Sequence, residues 1–406
     1  MSRRHLDGAD IIVAGHICLD IIPAMNGRKR RQGIAELLVP GKLIDVGAAQ
    51  LSTGGAVPNT GLALHRLGSN VKLMGKVGDD PFGQAILSIL RSYGEHLAEG
   101  MIVAAGECSS YSIVISPPGV DRIFLHCTGA NDTFSSEEVT ADAYGGGKLF
   151  HFGYPPLMRR MYEEQGVELE RLLAGAKAAG LTISLDMARP DPDSMAGQAD
   201  WMAILQRVLP NVDVFLPSFE ELLYMLRPEL YRELAERHGT SELLPFADGD
   251  MLGALSAELL GMGVAVAAIK LGEYGLYVRT SASLQRLRSM GHSAPLGEEL
   301  ESWRDKELLA PCYKVDVSGT TGAGDCTIAG FLSGLARGLP IEDTLLTAVG
   351  VGACNVERPD AVSGIPGWED VQRRIASGWE QREVLMQLPG WYHDRQCGVW
   401  RRKGEQ

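Results

Sequence analysis

Residues 317–335 read VSGTTGAGDCTIAGFLSGL, and the two halves of this stretch differ in character. Residues 319–324, GTTGAG, hold three glycines and two threonines and no bulky side chain. From Asp325 onward, apolar residues recur at a helical spacing, at Ile328, Phe331, Leu332 and Leu335. The stretch therefore predicts a flexible loop that runs directly into a helix.

One carboxylate, Asp325, lies at the junction of this loop and helix. Small residues let backbone N–H groups point inward, and a helix N-terminus carries partial positive charge, so the junction suits an anion such as a phosphate. A carboxylate repels a bound anion, so Asp325 must serve another purpose. Spacing alone leaves two interpretations open. In the first, Asp325 accepts a proton from a hydroxyl that attacks the phosphate. In the second, Asp325 caps the helix.

The composition is that of an ordinary soluble chain with small-molecule partners. Its 406 residues are 45% hydrophobic and 22% charged, enough for one large α/β domain with an appendage. The net charge of −13 argues against partners such as nucleic acid or an anionic membrane surface. No run of about 18 apolar residues occurs, so no membrane span is expected.

Two further features bear on location. The N-terminal apolar run is interrupted by Gly15, His16 and Asp20, so we interpret it as a first strand and not as a targeting signal. The seven cysteines are odd in number and include no C-x-x-C pair, which favours free thiols over disulfides or a zinc site. We expect a cytoplasmic protein.

Strand and helix patterns alternate along most of the chain, which is typical of βαβ units and a parallel sheet. The predicted strands cover residues 9–14, 43–51, 71–77, 149–152, 182–186, 212–216, 264–270 and 276–279. The predicted helices begin near Pro58 and then cover 82–93, 163–179, 201–208, 220–226, 251–262, 325–337, 341–356 and 368–375. A hairpin of 108–116 and 122–126 is predicted around the turn 117–119, whereas 284–308 and the tail from 378 show no clear period.

Several motifs follow one another in a fixed order. GGAVPNTGLALHRLGSNVKLMGKVGDDPFG begins at Gly54, LDMARP surrounds Asp186, and IKLGEYGLYV precedes GTTGAGDCTIAGFLSGLARG and AVGVGACNVE. Together they resemble the signatures of the PfkB (ribokinase-like) carbohydrate kinase family, whose C-terminal motif usually reads DTxGAGD. The resemblance extends from Ile11 to about Pro366.

This resemblance implies the fold class: an α/β, ribokinase-like three-layer α/β/α sandwich with a mostly parallel central sheet and a small β lid. The kinase domain is expected at residues 1–377, with lid segments inserted at about 17–55 and 108–128. Residues 378–406 are expected to form a C-terminal tail that packs on the body. Because relatives often pair through the lid, a homodimer is also expected.

The resemblance further implies ATP-dependent phosphoryl transfer to a hydroxyl of a sugar or sugar-like molecule, with Mg²⁺. Asp325 is the implied general base, and the backbone of 321–324, including Gly322, Ala323 and Gly324, is the implied anion hole. The implied acceptor-binding residues are Asp20, Gly54, Gly55 and Asn59. The implied nucleotide-binding residues are Lys270, Gly272, Gly275, Thr320, Thr321 and Asn355. Plainer interpretations remain open for some of them: a turn for Gly54 and Gly55, a helix cap for Asn59 and an exposed lysine for Lys270.

The chain departs from the family pattern at two positions. Gly319 replaces the opening aspartate of DTxGAGD, which often helps to bind a monovalent cation, so potassium activation is in question. The N-x-x-E motif, tied to magnesium and phosphate, begins here with Ser218, while its glutamate is retained as Glu221. A looser magnesium site at Glu221 is expected. Neither departure removes the base or the anion hole.

Other functions stay open beside a sugar kinase. A nucleoside kinase of the same fold shares the core motifs, so the acceptor remains a sugar or a nucleoside. The two departures also permit a non-catalytic, sugar-binding regulatory relative. A nicotinamide oxidoreductase is disfavoured, because no G-x-G-x-x-G fingerprint follows an early strand. Residues 151–155 and Arg189 are expected near the acceptor mouth.

Overall fold

The computed structural model describes residues 10–25, 39–116 and 123–403. The strands are β1 (Ile11–Gly15), β2 (Cys18–Pro23), β3 (Ala49–Gly54), β4 (Val71–Met74), β5 (Lys76–Gly78), β6 (Ile102–Ala104), β7 (Tyr111–Ile115), β8 (Ile123–Cys127), β9 (Leu149–Gly153), β10 (Thr182–Leu185), β11 (Val214–Phe215), β12 (Val266–Lys270), β13 (Leu276–Thr280), β14 (Glu307–Ala310), β15 (Trp391–Asp394) and β16 (Val399–Arg402). The α-helices are α1 (Ala56–Arg66), α2 (Pro81–Tyr93), α3 (Arg159–Tyr162), α4 (Val167–Ala178), α5 (Trp201–Val208), α6 (Phe219–Leu226), α7 (Pro228–His238), α8 (Gly249–Gly261), α9 (Leu284–Arg288), α10 (Glu298–Trp303), α11 (Ala323–Ala336), α12 (Ile341–Val356) and α13 (Trp368–Ala376).

Ten strands form the central sheet, in the order β4-β1-β9-β10-β11-β12-β13-β14-β16-β15. The six from β4 to β12 run parallel, and the remaining four are antiparallel to their neighbours. All five residues of β1 are buried, as expected for a parallel strand covered on both faces. The predicted parallel sheet is confirmed.

Helices cover both faces of this sheet. Along β1, Ile11 and Val13 join a core formed with α1, α2, α11 and α12, whereas Ile12 and Ala14 join a second core formed with α4 to α8. This alternation follows from the period of two along a strand. In the described part of the chain, none of these helices is long and apolar enough to cross a membrane.

A smaller sheet of four strands, the lid, is attached where β1 continues into β2. Its order is β3-β2-β7-β8, with β2 parallel to β7 and the outer pairs antiparallel. The predicted antiparallel pairing of the 108–116 and 122–126 segments is confirmed. Their predicted turn at 117–119 lies outside the described residues, as does the first residue of the predicted strand 9–14.

Two predicted strands were placed wrongly because their partners lie far away in sequence. The strand predicted at 43–51 begins only at Ala49 and continues through Gly54, where it pairs with β2. The strand predicted at 71–77 is split at Gly75 into β4 and β5, which belong to different sheets. A Cβ atom built on Gly75 would lie 2.7 Å from Cγ2 of Ile17, so the chain bends through a gap that only glycine fits.

The structure also assigns the stretches without a clear period. Residues 284–308 contain α9, α10 and the start of β14, and the tail contributes β15 and β16 to the edge of the large sheet. The helix predicted at 163–179 begins only at Val167, because Glu164 and Gln165 have positive φ angles of 50° and 54°. Helix α7 was not predicted at all.

A fully buried carboxylate, Asp213, fixes α9 against the sheet. Its oxygens accept from Lys177 Nζ on α4 at 2.5 and 2.6 Å and from Arg286 Nη1 on α9 at 2.8 Å. The backbone N–H of Ile183 on β10 donates to the same carboxylate at 2.8 Å. One acidic side chain therefore joins a strand to helices from both halves of the chain.

The substitution Asp213→Ala should lower the free energy of unfolding by about 3–5 kcal/mol, because it leaves two cations without their buried partner. Chemical denaturation gives the value. Asp370→Ala is the matched control, since Asp370 forms an exposed i,i+3 pair with Arg373 that should contribute less than about 1 kcal/mol. Equal losses in the two variants would contradict a structural role for Asp213.

Candidate active site

The glycine-rich loop runs into a helix as predicted, and α11 begins at Ala323. Gly322 is the N-cap residue and has a φ of 72°, a left-handed conformation that glycine adopts without strain. A Cβ atom built on it would also lie 2.9 Å from the Cβ of Ala361. Asp325 is the third residue of the helix and makes no capping hydrogen bond, so its interpretation as a helix cap is wrong.

The Asp325 carboxylate is 3% exposed and lies among donors from other elements. Asn59 Nδ2 on α1 donates to its Oδ2 at 3.0 Å, and the Tyr154 hydroxyl lies 2.9 Å from each of its oxygens. Burial raises the pKa of Asp325, while the charge of Lys270 and these hydrogen bonds act in the opposite direction. The carboxylate is therefore held in one orientation and is more basic than a carboxylate in water.

Tyr154 follows the end of β9 and reaches this carboxylate through an unusual backbone. Its φ of 66° and ψ of 44° are left-handed, a conformation that costs a non-glycine residue about 1–3 kcal/mol. Burial, and then the negative charge of Asp325, raises the pKa of Tyr154 well above its usual value, so the hydroxyl stays a donor. Residues 151–155 were expected near the acceptor mouth, but the contact with Asp325 was not predicted.

Lys270, at the end of β12, forms a buried ion pair with Asp186, which follows β10. Lys270 Nζ lies 2.5 Å from Asp186 Oδ1. The Lys270 side chain is only 12% exposed, so its interpretation as an exposed lysine is wrong. Burial lowers the pKa of Lys270, but Asp186, Glu221 and Asp325 outweigh it, and the net direction is upward. A Cβ atom built on Gly324 would lie 3.8 Å from Lys270 Nζ, so the charged ammonium lies beside the loop.

Ser218 and Glu221 form a reciprocal capping box at the start of α6. The N–H of Glu221 donates to Ser218 Oγ at 3.3 Å, and the N–H of Ser218 donates to Glu221 Oε2 at 2.6 Å. Serine and asparagine are both strong N-caps, which gives the departure from N-x-x-E a local structural basis. Magnesium binding by Glu221 stays a prediction.

A cavity of about 490 Å³ lies on one side of the loop. The residues that line it include four that were predicted to bind the nucleotide: Lys270, Gly272, Gly275 and Thr320. The loop, Glu221 and Asp325 also line this cavity. The remainder of the wall includes apolar side chains, among them Val315, Val317, Val349 and Val356. A charged end and an apolar end suit a ligand that carries both phosphates and a flat ring.

A second cavity, of about 470 Å³, lies on the lid side of the loop. Asp20 and Asn59 line it, as does Thr321, which was predicted on the nucleotide side. Gly54 and Gly55 shape this region by having no side chain. A Cβ atom on Gly54 would lie 2.3 Å from Asp20 Oδ2, and one on Gly55 would lie 2.5 Å from His16 Nδ1.

Three residues lie apart from the two cavities. Asn355 is fully buried and donates to the carbonyls of Thr321 at 3.2 Å and Ala361 at 2.6 Å, so it supports the loop from behind. A Cβ atom on Gly319 would lie 2.8 Å from the Cα of Pro359, which leaves no room for the aspartate of the family pattern. Arg189 contacts Tyr231 and the carbonyl of Ser241 and lines neither cavity.

Comparisons with known proteins agree with this architecture. A family model described as pfkB family carbohydrate kinase matches residues 9–368. The chain is 25% identical over 305 residues to an uncharacterised sugar kinase of Archaeoglobus fulgidus, covering 75% of this chain and 98% of the relative. It is 23% identical over 357 residues to 2-dehydro-3-deoxygluconokinase of Bacillus subtilis, covering 87% and 94%. The ribokinase of Arabidopsis thaliana, solved with ribose and ATP, matches with a TM-score of 0.63 at 16% identity, covering 90% of this chain and 98% of that one.

The fold is thus the ribokinase fold, as the resemblance implied. The chain belongs to the pfkB family of carbohydrate kinases. The expected class of enzyme, a carbohydrate kinase, is confirmed by this family membership.

Tyr154→Phe should raise the pKa of Asp325, because the lost hydroxyl stabilises the charged carboxylate. Carboxyl ¹³C resonances of aspartate, followed against pH in the wild type and the variant, give the shift. Tyr162→Phe is the matched control, since Tyr162 lies on α3 away from the carboxylate. An unchanged or lowered pKa in Tyr154→Phe would contradict the hydrogen bonds described.

Proposed function

We propose that this chain transfers a phosphoryl group from ATP to a hydroxyl of a sugar or sugar-like molecule. The observation that carries the proposal is the position of Asp325. It is buried, accepts hydrogen bonds from Asn59 and Tyr154, and lines the 490 Å³ cavity, while Asn59 and Thr321 line the lid-side cavity. A base between two ligand cavities is the arrangement that direct transfer needs, because the two reactants must meet in line.

In this proposal the nucleotide occupies the 490 Å³ cavity and the acceptor occupies the lid-side cavity. Asp20 and Asn59 bind acceptor hydroxyls, since carboxylate and amide groups contact two adjacent hydroxyls at once. Asp325 takes the proton of the attacking hydroxyl. The N–H groups of 321–324 and the positive end of α11 stabilise the charge on the transferred group.

Lys270, which lies beside the loop, and a bound Mg²⁺ would neutralise the remaining charge on the phosphates. Lys270 lies against Gly324 and keeps its proton, so it is placed to face the phosphates. Glu221 and Asp186 are the carboxylates that would hold Mg²⁺. The donor set fits a hard cation, and Asp186 Oδ2 is buried without a hydrogen-bond partner among the described residues. A bound Mg²⁺ supplies charge neutralisation and phosphate alignment.

The acceptor is assigned only by class. The names of several relatives indicate sugars or a sugar acid as acceptor, which supports a carbohydrate, whereas one structural neighbour is a nucleoside kinase of Methanocaldococcus jannaschii, which keeps a nucleoside as the alternative. An ADP-release assay over sugars, sugar acids and nucleosides tests the class. A nucleoside that outperforms every sugar would favour the nucleoside kinase alternative. Thermal stabilisation by sugars without ADP release from any acceptor would favour a regulatory relative.

Asp325→Asn should lower kcat by about 10²–10⁴, because the amide cannot accept the proton. ATP binding, measured by calorimetry, should persist. Asp142→Asn, at an exposed carboxylate, is the matched control and should leave kcat unchanged. Turnover within a few-fold of the wild type in Asp325→Asn would contradict the assignment of the base.

Potassium should not activate the enzyme, because Gly319 packs against Pro359 and offers no carboxylate. Replacing potassium by sodium at equal ionic strength should change kcat/KM by less than about twofold, which is roughly 0.4 kcal/mol. A loss of about tenfold or more in sodium would reveal a cation site that does not need this aspartate.

Two expectations stay predictions. The exposed side chains of Leu51, Phe124 and Leu125 on β3 and β8 support a homodimer through the lid. The free cysteines of the described residues support a reducing compartment such as the cytoplasm.

A further inference from the structure

The base of the lid carries two imidazoles and a thiol whose ligand atoms converge. His16 follows β1, Cys18 begins β2, and His126 lies on β8. Their ligand atoms all lie within 4.8 Å of one another, and the two Nε2 atoms are 3.3 Å apart. The strands β2, β7 and β8 are hydrogen-bonded in succession, so backbone pairing fixes the positions of Cys18 and His126.

The spacing of the two nitrogens fits a tetrahedral ion. With metal–nitrogen distances of about 2.0–2.1 Å, tetrahedral geometry separates two nitrogen ligands by about 3.3 Å. That is the separation between His16 and His126. A third ligand that is a thiol selects zinc and other borderline or soft ions over magnesium and calcium.

The surroundings of His126 prepare its Nε2 for this role. Ser112 Oγ lies 2.9 Å from His126 Nδ1, and donation from Nδ1–H to that oxygen leaves the lone pair on Nε2. Such outer contacts commonly fix the tautomer of a metal-binding histidine. The neutral imidazole is the form that binds metals, and the partial burial of His126 lowers its pKa, which favours that form.

His16 presents its Nε2 to the same point. It is 2% exposed, and burial, followed by the proximity of His126, lowers its pKa well below the usual value. Its Nδ1 has no hydrogen-bond partner among the described residues. The facing Nε2 of His126 is the one hydrogen-bonding contact of this side chain in the described part of the chain. A buried imidazole with a single polar contact is poorly explained as a structural hydrogen-bonding group.

Cys18 supplies the sulfur. Its Sγ lies 3.4 Å from Asp20 Oδ1 and 3.7 Å from Ser112 Oγ. Burial, and then the charge of Asp20, raises the pKa of the thiol, so the sulfur is protonated when no metal is bound. Metal binding forms one metal–sulfur bond and two metal–nitrogen bonds, and the thiol proton leaves to solvent.

We propose that His16 Nε2, Cys18 Sγ and His126 Nε2 bind one zinc-like transition-metal ion, with a fourth position left for an oxygen ligand. The ion joins the end of β1 to lid strand β8. It thereby fixes the lid beside Asp20. This inference does not depend on the proposed kinase reaction, because the three ligands are not assigned to phosphoryl transfer.

Cobalt(II) is the probe, because its absorption reports both geometry and sulfur ligation. The full chain, reduced, free of a histidine tag and treated with chelator, is titrated with CoCl₂. The proposal predicts one cobalt per chain, intense visible bands of tetrahedral cobalt and a near-ultraviolet thiolate band, with displacement by ZnCl₂. His126→Ala should weaken cobalt binding by at least about tenfold. Because His126 lies on a largely exposed strand, this variant should still fold. Cys18→Ser should abolish the thiolate band.

Two variants serve as matched controls. His96→Ala removes one ring of another close imidazole pair, His65 and His96, with ring centroids 5.5 Å apart. Cys108→Ser removes an exposed thiol. Both should leave the titration unchanged. The proposal is overturned if no tetrahedral spectrum appears, if the thiolate band survives Cys18→Ser, or if either control weakens binding as much as His126→Ala. Circular dichroism of each variant verifies that it is folded.

Discussion

The buried carboxylate of Asp325 is the constraint on which the site depends. A carboxylate with 3% exposure is costly unless donors surround it, and the chain brings them from distant elements. Asn59 comes from α1, Tyr154 follows β9, and the ammonium of Lys270 ends β12. Both β9 and β12 present their carboxyl ends here, the edge where open parallel sheets bind ligands. The order of strands in the sheet thus determines what surrounds Asp325.

This arrangement separates two tasks that conflict when the sequence is viewed alone. An anion site and a carboxylate lie within a few residues of each other, and like charges repel. In the structure, the Asp325 carboxylate accepts hydrogen bonds from Asn59 and Tyr154, which lie on other elements. Lys270, the loop and Asp325 line the 490 Å³ cavity together, whereas Asn59, which donates to the Asp325 carboxylate, lines the lid-side cavity. The left-handed backbone of Tyr154 stabilises that orientation at a cost of about 1–3 kcal/mol.

The local sequence was sufficient to predict those elements whose structure depends on neighbouring residues. The glycine-rich loop, the helix after it and the buried parallel strands followed from composition and period, and the motifs indicated the family. Features that depend on distant partners were not predictable in this way. The split at Gly75, the pairing of tail strand β16 with β14 and the contact of Tyr154 with Asp325 all involve residues far apart in sequence. The same holds for His16 and His126, which are 110 positions apart and match no metal-binding spacing.

The central claim is that one carboxylate lies between a nucleotide and an acceptor that occupy separate cavities. A crystal structure with a non-hydrolysable ATP analogue and an acceptor tests it most directly. The account predicts the triphosphate beside Lys270 and the loop, and the acceptor beside Asp20 and Asn59, with its reactive hydroxyl about 2.6–3.2 Å from Asp325. Both ligands in one cavity, or an acceptor hydroxyl well beyond hydrogen-bond reach of Asp325 in the closed complex, would contradict the account.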